Sequence, residues 1–280
     1  MGPNQARWVQ KNNTEGEAPV EAVVVQGLTY RYGPVGPDVL KDVNFRVGQG
    51  EMVAVTGMSG CGKSTLCFCL NGIIPHSRGG IMSGKVFVRG KDTGAHPVAR
   101  LALEVGLVFQ DPDTQLFSPT VEEEIAFALE NICLPPGQIR QRIDEVLDFL
   151  GIQDLRQANP YHLSGGEKHL IALAALLALD PPILLLDEVM SGLDGAGKQK
   201  VREALEKLHR RGKTVIVVEH DLETIAFTDR LLVLKQGTVA RDDRTEKVLA
   251  DGPFLTACRL KLGDEESLVG EDGHGFFEIE

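Results

Sequence analysis

The sequence predicts an α/β fold with a mostly parallel sheet, and three observations predict it. First, an apolar run, Met52-Val53-Ala54-Val55, passes through a glycine-rich stretch, Gly57-Met58-Ser59-Gly60-Cys61-Gly62-Lys63-Ser64-Thr65, into a helix-like segment from Leu66 to Gly72. Second, Ile183-Leu184-Leu185-Leu186 and Thr214-Val215-Ile216-Val217-Val218 are apolar without interruption, the pattern of strands buried on both faces. Third, these two strands end in polar groups, Asp187-Glu188 and Glu219-His220-Asp221. Open α/β sheets place ligands at the carboxyl ends of their strands.

Along the chain, residues 1–20 are polar and read as a disordered extension. The main body spans 21–252, with a helical subdomain at about 111–165; residues 253–280 read as a last helix and an acidic tail. Ala22–Val25 and Leu28–Tyr32 are strand-like, and Gly33, Pro34, Gly36 and Pro37 make a turn. Val39 to Val47 alternates, which places Val39, Lys41, Val43, Phe45 and Val47 on one face. Gly48-Gln49-Gly50 is expected to close a hairpin into the strand before the glycine-rich loop. Strands follow at Lys85–Val88 and Val105–Phe109, then a loop from Asp111 to Pro119. Thr120 and Glu123 form a capping-box pattern for a helix over Val121–Asn131, and Glu122, Glu123 and Glu124 suit its N-terminal dipole. A second helix follows Pro135-Pro136 with Ile139, Ile143, Val146, Leu147 and Leu150 at helical spacing, ended by Gly151. Ser191–Asp194 is a turn opening a helix over Lys198–Arg211. Arg230–Lys235 and Thr238–Arg241 pair as a hairpin, with helices at Thr245–Ala250 and Phe254–Lys261.

Composition bounds the function. The net charge of −11 argues against a general nucleic-acid binder. Seven of the acidic residues lie between Gly263 and Glu280, where there is no Lys or Arg, so the rest of the chain is only mildly acidic. The five cysteines, Cys61, Cys67, Cys69, Cys133 and Cys258, lack metal-ligand spacing and point to a reducing compartment. No apolar run reaches the ~18 residues of a membrane-spanning helix. The N-terminus shows no apolar signal core.

Two stretches carry phosphate chemistry. Gly57…Gly62-Lys63-Ser64 fits G-x-x-x-x-G-K-[ST]. Glycines let several backbone N–H groups point at one anion, and a helix N-terminus adds a favourable dipole. Lys63 supplies a point charge for the β- and γ-phosphates, and the Ser64 hydroxyl is a Mg²⁺ ligand type. Leu163-Ser164-Gly165-Gly166-Glu167 opens a strongly apolar helix. Ser164 and Glu167 also fit a capping box, but two glycines in a first turn cost about 0.8–1.0 kcal/mol each against Ala. That cost suggests a ligand approaching the backbone, a second phosphate site. Asp187 fits the acid that supports Mg²⁺, and Glu188, one residue on and expected to face away from it, fits a group that polarises water. Tyr30 and Tyr32 precede the loop; either can stack on a base, worth about 1–3 kcal/mol, or simply pack in its strand.

The order of these motifs resembles the nucleotide-binding subunit of ATP-binding-cassette (ABC) proteins, from about Val23 to Gly252. The resemblance implies a P-loop NTPase: an ABC ATPase core with a mostly parallel sheet, an antiparallel β-subdomain and an inserted α-helical subdomain. It implies that Tyr32 stacks on adenine and that Gly57, Ser59, Gly60, Cys61, Gly62, Lys63, Ser64 and Thr65 form the Walker A loop around ATP. It makes Gln110 the Q-loop glutamine, Ser164, Gly165 and Gly166 the signature, and Ile183–Glu188 the Walker B strand with Glu188 as catalytic glutamate. Ser191–Asp194 becomes the D-loop and His220 the switch histidine. Mg²⁺ falls to Ser64, Gln110 and Asp187. In the family two cassettes pair head to tail, each signature helix capping the ATP on the other's Walker A loop, so a second ABC ATPase, identical or paralogous, is implied.

The segment Gln110–Asn131 is similar to the ATPases of energy-coupling factor (ECF) importers, which serve vitamin and cobalt or nickel uptake. That resemblance implies a transmembrane coupling protein, a substrate-binding membrane component, and a peripheral position on the cytoplasmic face of the membrane. Glu167-Lys168-His169, Met190, Gly195 and Glu219 depart from common family patterns and leave the subfamily open. Another ABC transporter class, or a soluble ABC protein of translation or DNA repair, are the alternatives.

Overall fold

The structure is a computed structural model and describes residues 21–260. The expected N-terminal extension at 1–20 and the acidic tail lie outside the described residues, as does Lys261, the expected end of the last helix.

In chain order the strands are β1 (Glu21–Arg31), β2 (Leu40–Gly48), β3 (Met52–Thr56), β4 (Ile81–Val88), β5 (Lys91–Asp92), β6 (Val105–Val108), β7 (Ile183–Asp187), β8 (Thr214–Val218), β9 (Arg230–Lys235) and β10 (Thr238–Arg244). The helices are α1 (Lys63–Leu70), the short turns α2 (Ile73–His76) and α3 (Val98–Leu101), α4 (Val121–Asn131), α5 (Pro136–Leu150), α6 (Gly165–Leu179), α7 (Gly195–Arg210), the short α8 (Leu222–Ile225), α9 (Thr245–Leu249) and α10 (Gly252–Ala257). Two sheets form. One is antiparallel in the order β2-β1-β4-β5; the other runs β10-β9-β3-β8-β7-β6 and is parallel except for β10.

The uninterrupted apolar strands are buried on both faces because each face serves a different core. Met52, Ala54, Leu184, Leu186, Val215 and Val217 point into one cluster with α4, α5, α6 and α7. The alternate residues, Val53, Val55, Ile183, Leu185, Ile216 and Val218, point into a second cluster with α1 and the antiparallel sheet. The period of two along a strand thus divides the molecule into layers. Helix α1 sits between the two sheets, and all of its residues except Ser64 are buried. The helical segment between β6 and β7 shares the first cluster: Val121, Ile125 and Leu129 pack in the same core as Leu184 and Leu186.

Several elements differ from the sequence reading. Gly48–Gly50 does not close a hairpin. β2 pairs with β1, whereas β3 lies between β8 and β9, so this turn carries the chain from one sheet into the other. The buried face of β2 begins at Leu40 rather than at Val39 and Lys41. Asp42 takes a positive φ of 47°, and the register slips between Tyr30↔Leu40 and Leu28↔Val43, as a β-bulge does. Helix α1 starts at Lys63, three residues before Leu66, and α7 at Gly195 rather than Lys198, because each begins at its cap. The last helix starts and ends earlier than expected, at Gly252 and Ala257, where the Asp251 side chain caps it. Glu124 is more than a dipole partner: it is buried, and its Oε2 accepts the Phe117 and Ser118 N–H groups at 3.0 and 2.8 Å.

Helix α6 reaches the sheet at a residue without a side chain. A Cβ on Gly106 would lie 1.8 Å from Leu176 Cδ1 and 3.0 Å from Pro181 Cγ, so Leu176 seats directly on β6. Replacing Gly106→Val should therefore destabilise the fold by roughly 1–3 kcal/mol, the usual cost of overpacking. A urea titration reads this as a lowered midpoint with an unchanged slope; an unchanged midpoint would contradict the close seating.

Candidate functional site

The site is built at the carboxyl ends of β3, β7 and β8, which lie side by side in one register. The chain leaving β3 must turn sharply to enter α1, and glycine permits it. Gly62, the N-cap of α1, has φ of 109°, and a Cβ on Gly57 would meet the Leu234 carbonyl oxygen at 2.3 Å. Met58, Ser59 and Gly60 are exposed at the rim, whereas Cys61 is buried and its N–H donates to the Met58 oxygen. Burial pushes the Cys61 thiol above its ordinary range.

Lys63 is buried, with its ammonium donating to the Gly57 oxygen at 2.9 Å. It is a fixed positive charge at the N-terminus of α1, where backbone N–H groups have no helical partner. The Ser64 hydroxyl lies beside the Asp187 carboxyl and favours its charged form. Thr65 Oγ1 and the Tyr32 hydroxyl lie 2.8 Å apart. Tyr30 is fully buried and packs edge-on against Tyr32, whose ring is half exposed beside the loop. Of the two tyrosines, burial leaves only Tyr32 accessible to a base.

Glu188 stands at the meeting point. Its Oε1 is 3.5 Å from Lys63 Nζ, its Oε2 accepts from Gln110 Nε2 at 2.7 Å, and Oε2 is 3.9 Å from His220 Nδ1. Strand alternation would turn Glu188 away from Asp187. Instead β7 ends at Asp187, and Glu188 takes a left-handed φ of 51° that brings its carboxylate to Lys63 while Asp187 meets Ser64. Asp187 is nearly inaccessible, and burial raises its carboxyl above the ordinary range, opposed by Ser64 and Lys63. Its Oδ1 is buried without a hydrogen-bond partner. An orphaned carboxylate oxygen beside a serine hydroxyl fits Mg²⁺, a hard cation that takes few protein oxygens and completes its shell with phosphate and water. Gln110, the third expected metal ligand, is joined here to Glu188.

Ser164, Gly165, Gly166 and Asp194 form a separate group. The capping box at α6 is complete: Ser164 Oγ accepts the Glu167 N–H, and Glu167 Oε2 accepts the Ser164 N–H at 2.9 Å. The Asp194 carboxylate caps α7 by accepting the Gly197 N–H at 2.7 Å. Gly166 lies against Leu193, where a Cβ would come within 3.1 Å of Cδ2. Among the described residues, no hydrogen bond joins this group to the phosphate loop. The link runs through His169, which is buried on α6: Nδ1 lies 3.0 Å from the Gly165 oxygen and Nε2 lies 3.1 Å from the Gln110 oxygen.

Two residues around the site have no role in the motif reading. One is His169. The other is Glu219, 0% exposed, whose Oε1 accepts the Met190 N–H at 2.7 Å. Both were visible only as departures from a family pattern, because a polar residue's burial depends on strands and loops distant in sequence.

Comparisons with known proteins identify the family and the fold. The sequence pattern of the ABC transporter family matches residues 40–191. The energy-coupling factor transporter ATP-binding protein EcfA of Methanosarcina acetivorans is 40% identical over 228 residues, covering 81% of this chain and 81% of that protein. Among solved structures, CbiO1 of Clostridium perfringens, described as part of the ABC transporter complex CbiONQ, superposes with a TM-score of 0.74 at 32% identity, covering 86% of this chain and 96% of that one. The cassette MJ0796, solved as a dimer in a post-hydrolysis state with ADP and phosphate, superposes with a TM-score of 0.71 at 29% identity, covering 80% of this chain and 98% of that one. The likeness shows the fold to be that of the ABC ATPase cassette. Curated relatives differ in length: the chain spans 38% of one from Methanosarcina acetivorans and 86% of one from Pyrococcus abyssi.

Proposed function

The chain belongs to the ABC transporter family, and on that premise we propose that it is the ATP-hydrolysing subunit of an ECF-type importer of the vitamin or cobalt/nickel class. One observation carries the hydrolytic reading: Lys63, Gln110 and His220, from three separate segments, all reach the Glu188 carboxylate beside a helix N-terminus. A carboxylate held this way next to a phosphate cradle is placed to accept the proton of an attacking water. Lys63 and the loop amides from Gly57 to Thr65 hold the β- and γ-phosphates, His220 contacts the γ-phosphate, Gln110 orients the water, and Tyr32 stacks on the adenine. Mg²⁺, held by Ser64, Asp187 and Gln110, supplies neutralising charge on the phosphate oxygens when bound.

The separation of Ser164–Gly166 and Asp194 from the loop supports a shared site. A helix N-terminus that opens with two glycines, of which Gly165 faces open space, is a phosphate-binding surface. In a head-to-tail pair it would complete the γ-phosphate side of the partner's loop, and the related MJ0796 cassette was solved as a dimer with ADP and phosphate. The EcfA names and the CbiO1 neighbour support the ECF assignment. The partners are then a second ABC ATPase, a transmembrane coupling protein and a substrate-binding membrane component. No helix among the described residues is long and apolar enough to cross a membrane. On the importer reading, the chain sits at the cytoplasmic face through those partners.

Three outcomes test this reading. Glu188→Gln should keep ATP binding while turnover falls by about 10²–10⁴-fold, the range for loss of a positioned base; normal hydrolysis by that variant removes Glu188 from the role. Ser164→Arg should abolish turnover without weakening binding of nucleotide to the isolated loop, and unaltered turnover would contradict the composite site. Affinity purification from membranes should recover a small integral membrane subunit and an ATPase subunit, identified by mass spectrometry; recovery without any membrane protein counts against the importer.

A further inference from the structure

Glu219 follows β8 directly, is sealed from water, and carries one oxygen, Oε2, with no hydrogen-bond partner. The geometry points to Glu219 as a positioning residue for hydrolysis: its side chain ties the turn that carries Glu188 to the strand tip that carries His220. The inference rests on the ATPase reading above.

The argument starts from where the sheet stops. The ladder between β7 and β8 runs to Asp187↔Val218, and one more bond, Glu188 N–H to the Val218 oxygen at 2.8 Å, extends it. Beyond that bond the chain leaves the sheet through Val189 and Met190. Glu188 itself has φ of 51°, a strained backbone region for a non-glycine residue that persists only where the surroundings over-determine it. Ser191 braces the turn within its own segment, its Oγ donating to the Glu188 oxygen at 2.7 Å. Glu219 braces it from the neighbouring strand, accepting the Met190 N–H two residues past the reacting carboxylate. Because Glu219 is also the residue before His220, one buried side chain spans both catalytic segments.

Its charge state follows from its surroundings. A fully buried carboxyl with a single protein N–H partner is held as the neutral acid. Burial first, then the negative charges of Glu188 and Asp221, push it up to about 8, against the Met190 N–H and Lys198. The neutral acid accepts the Met190 N–H through its carbonyl oxygen and adds no charge beside Glu188. Deprotonation places a second negative charge next to Glu188 in a dry site, which disfavours the turn that Glu188 needs.

The test uses the full-length protein and its steady-state ATP hydrolysis across pH 6.5 to 9.5. Glu219→Ala should lower kcat at least about tenfold with KM for ATP within about threefold, the split expected when transition-state positioning is lost and nucleotide binding is kept. Glu219→Gln, neutral at every pH and able to accept the same N–H, should recover most of that loss. It should also lack the fall in kcat that wild type shows as pH rises through about 8. An alanine variant with wild-type kcat, a glutamine variant as impaired as alanine, or a pH limb common to wild type and glutamine each overturns the proposal. Absence of turnover in wild type itself would instead overturn the ATPase reading. A second measurement does not need turnover. The unfolded chain releases this proton near the model-peptide pKa of Glu, ~4.3, and the folded chain near 8. Wild type therefore loses stability as pH rises between those values, whereas Glu219→Gln does not. The gap in melting temperature between the two should widen from pH 5 to 8; a constant gap overturns the neutral-acid assignment and with it the proposal.

Discussion

The Glu188 carboxylate is the point on which this structure turns. Lys63 reaches it from the phosphate loop, Gln110 from the end of β6, and His220 from the end of β8, all within 3.9 Å. That convergence requires four parallel strands ending near one level, and the continuous parallel pairing of β3, β8, β7 and β6 provides it. It also requires Glu188 to leave the strand path, since regular alternation would send its side chain to the face opposite Asp187. The left-handed backbone at Glu188 is the local strain that makes one end of a sheet into a site.

That strain sits in a dense background. Residues of β3, β7 and β8 alternate between two hydrophobic clusters, so no strand can slip by one position without exchanging its faces between cores. Against such rigid strands, buried polar groups act as struts. Glu124 holds the loop before α4 through two backbone N–H groups, and Glu219 holds the turn after β7. Each is destabilising to bury and therefore informative about what must be held still.

His169 plays a comparable part between the two surfaces that this chain would contribute to the proposed composite sites. Its ring lies between the backbone oxygens of Gly165 and Gln110. The glycine pair at the start of α6 and the glutamine at Glu188 are thus joined by one buried side chain, and Lys168 reinforces the link through its 2.6 Å contact with Asp113. The rigid seating of α6 on Gly106 keeps this helix in register with the sheet.

Much of this was legible in the residues. The phosphate loop, the buried strands, the capping box of Ser164 and Glu167, and the αL end of α5 at Gly151 all follow from local chemistry: glycine spacing, apolar runs and side chains that reach their own backbone. The helix boundaries were misplaced by local caps, whereas the misreadings of pairing and burial share one cause, dependence on distant partners. Gly48–Gly50 looks like a hairpin because two strands flank it, but the partners of those strands, β1 on one side and β8 and β9 on the other, lie elsewhere in the chain. The bulge at Asp42 is set by pairing with β1, and the burial of Tyr30, Glu219 and His169 by neighbours far along the sequence. The sequence by itself determined the chemistry available and the strands that would carry it. Only the tertiary structure decided that Glu188, and not a residue facing it, meets Lys63, Gln110 and His220, because the direction of a side chain at a strand end is set by where the neighbouring strand stops.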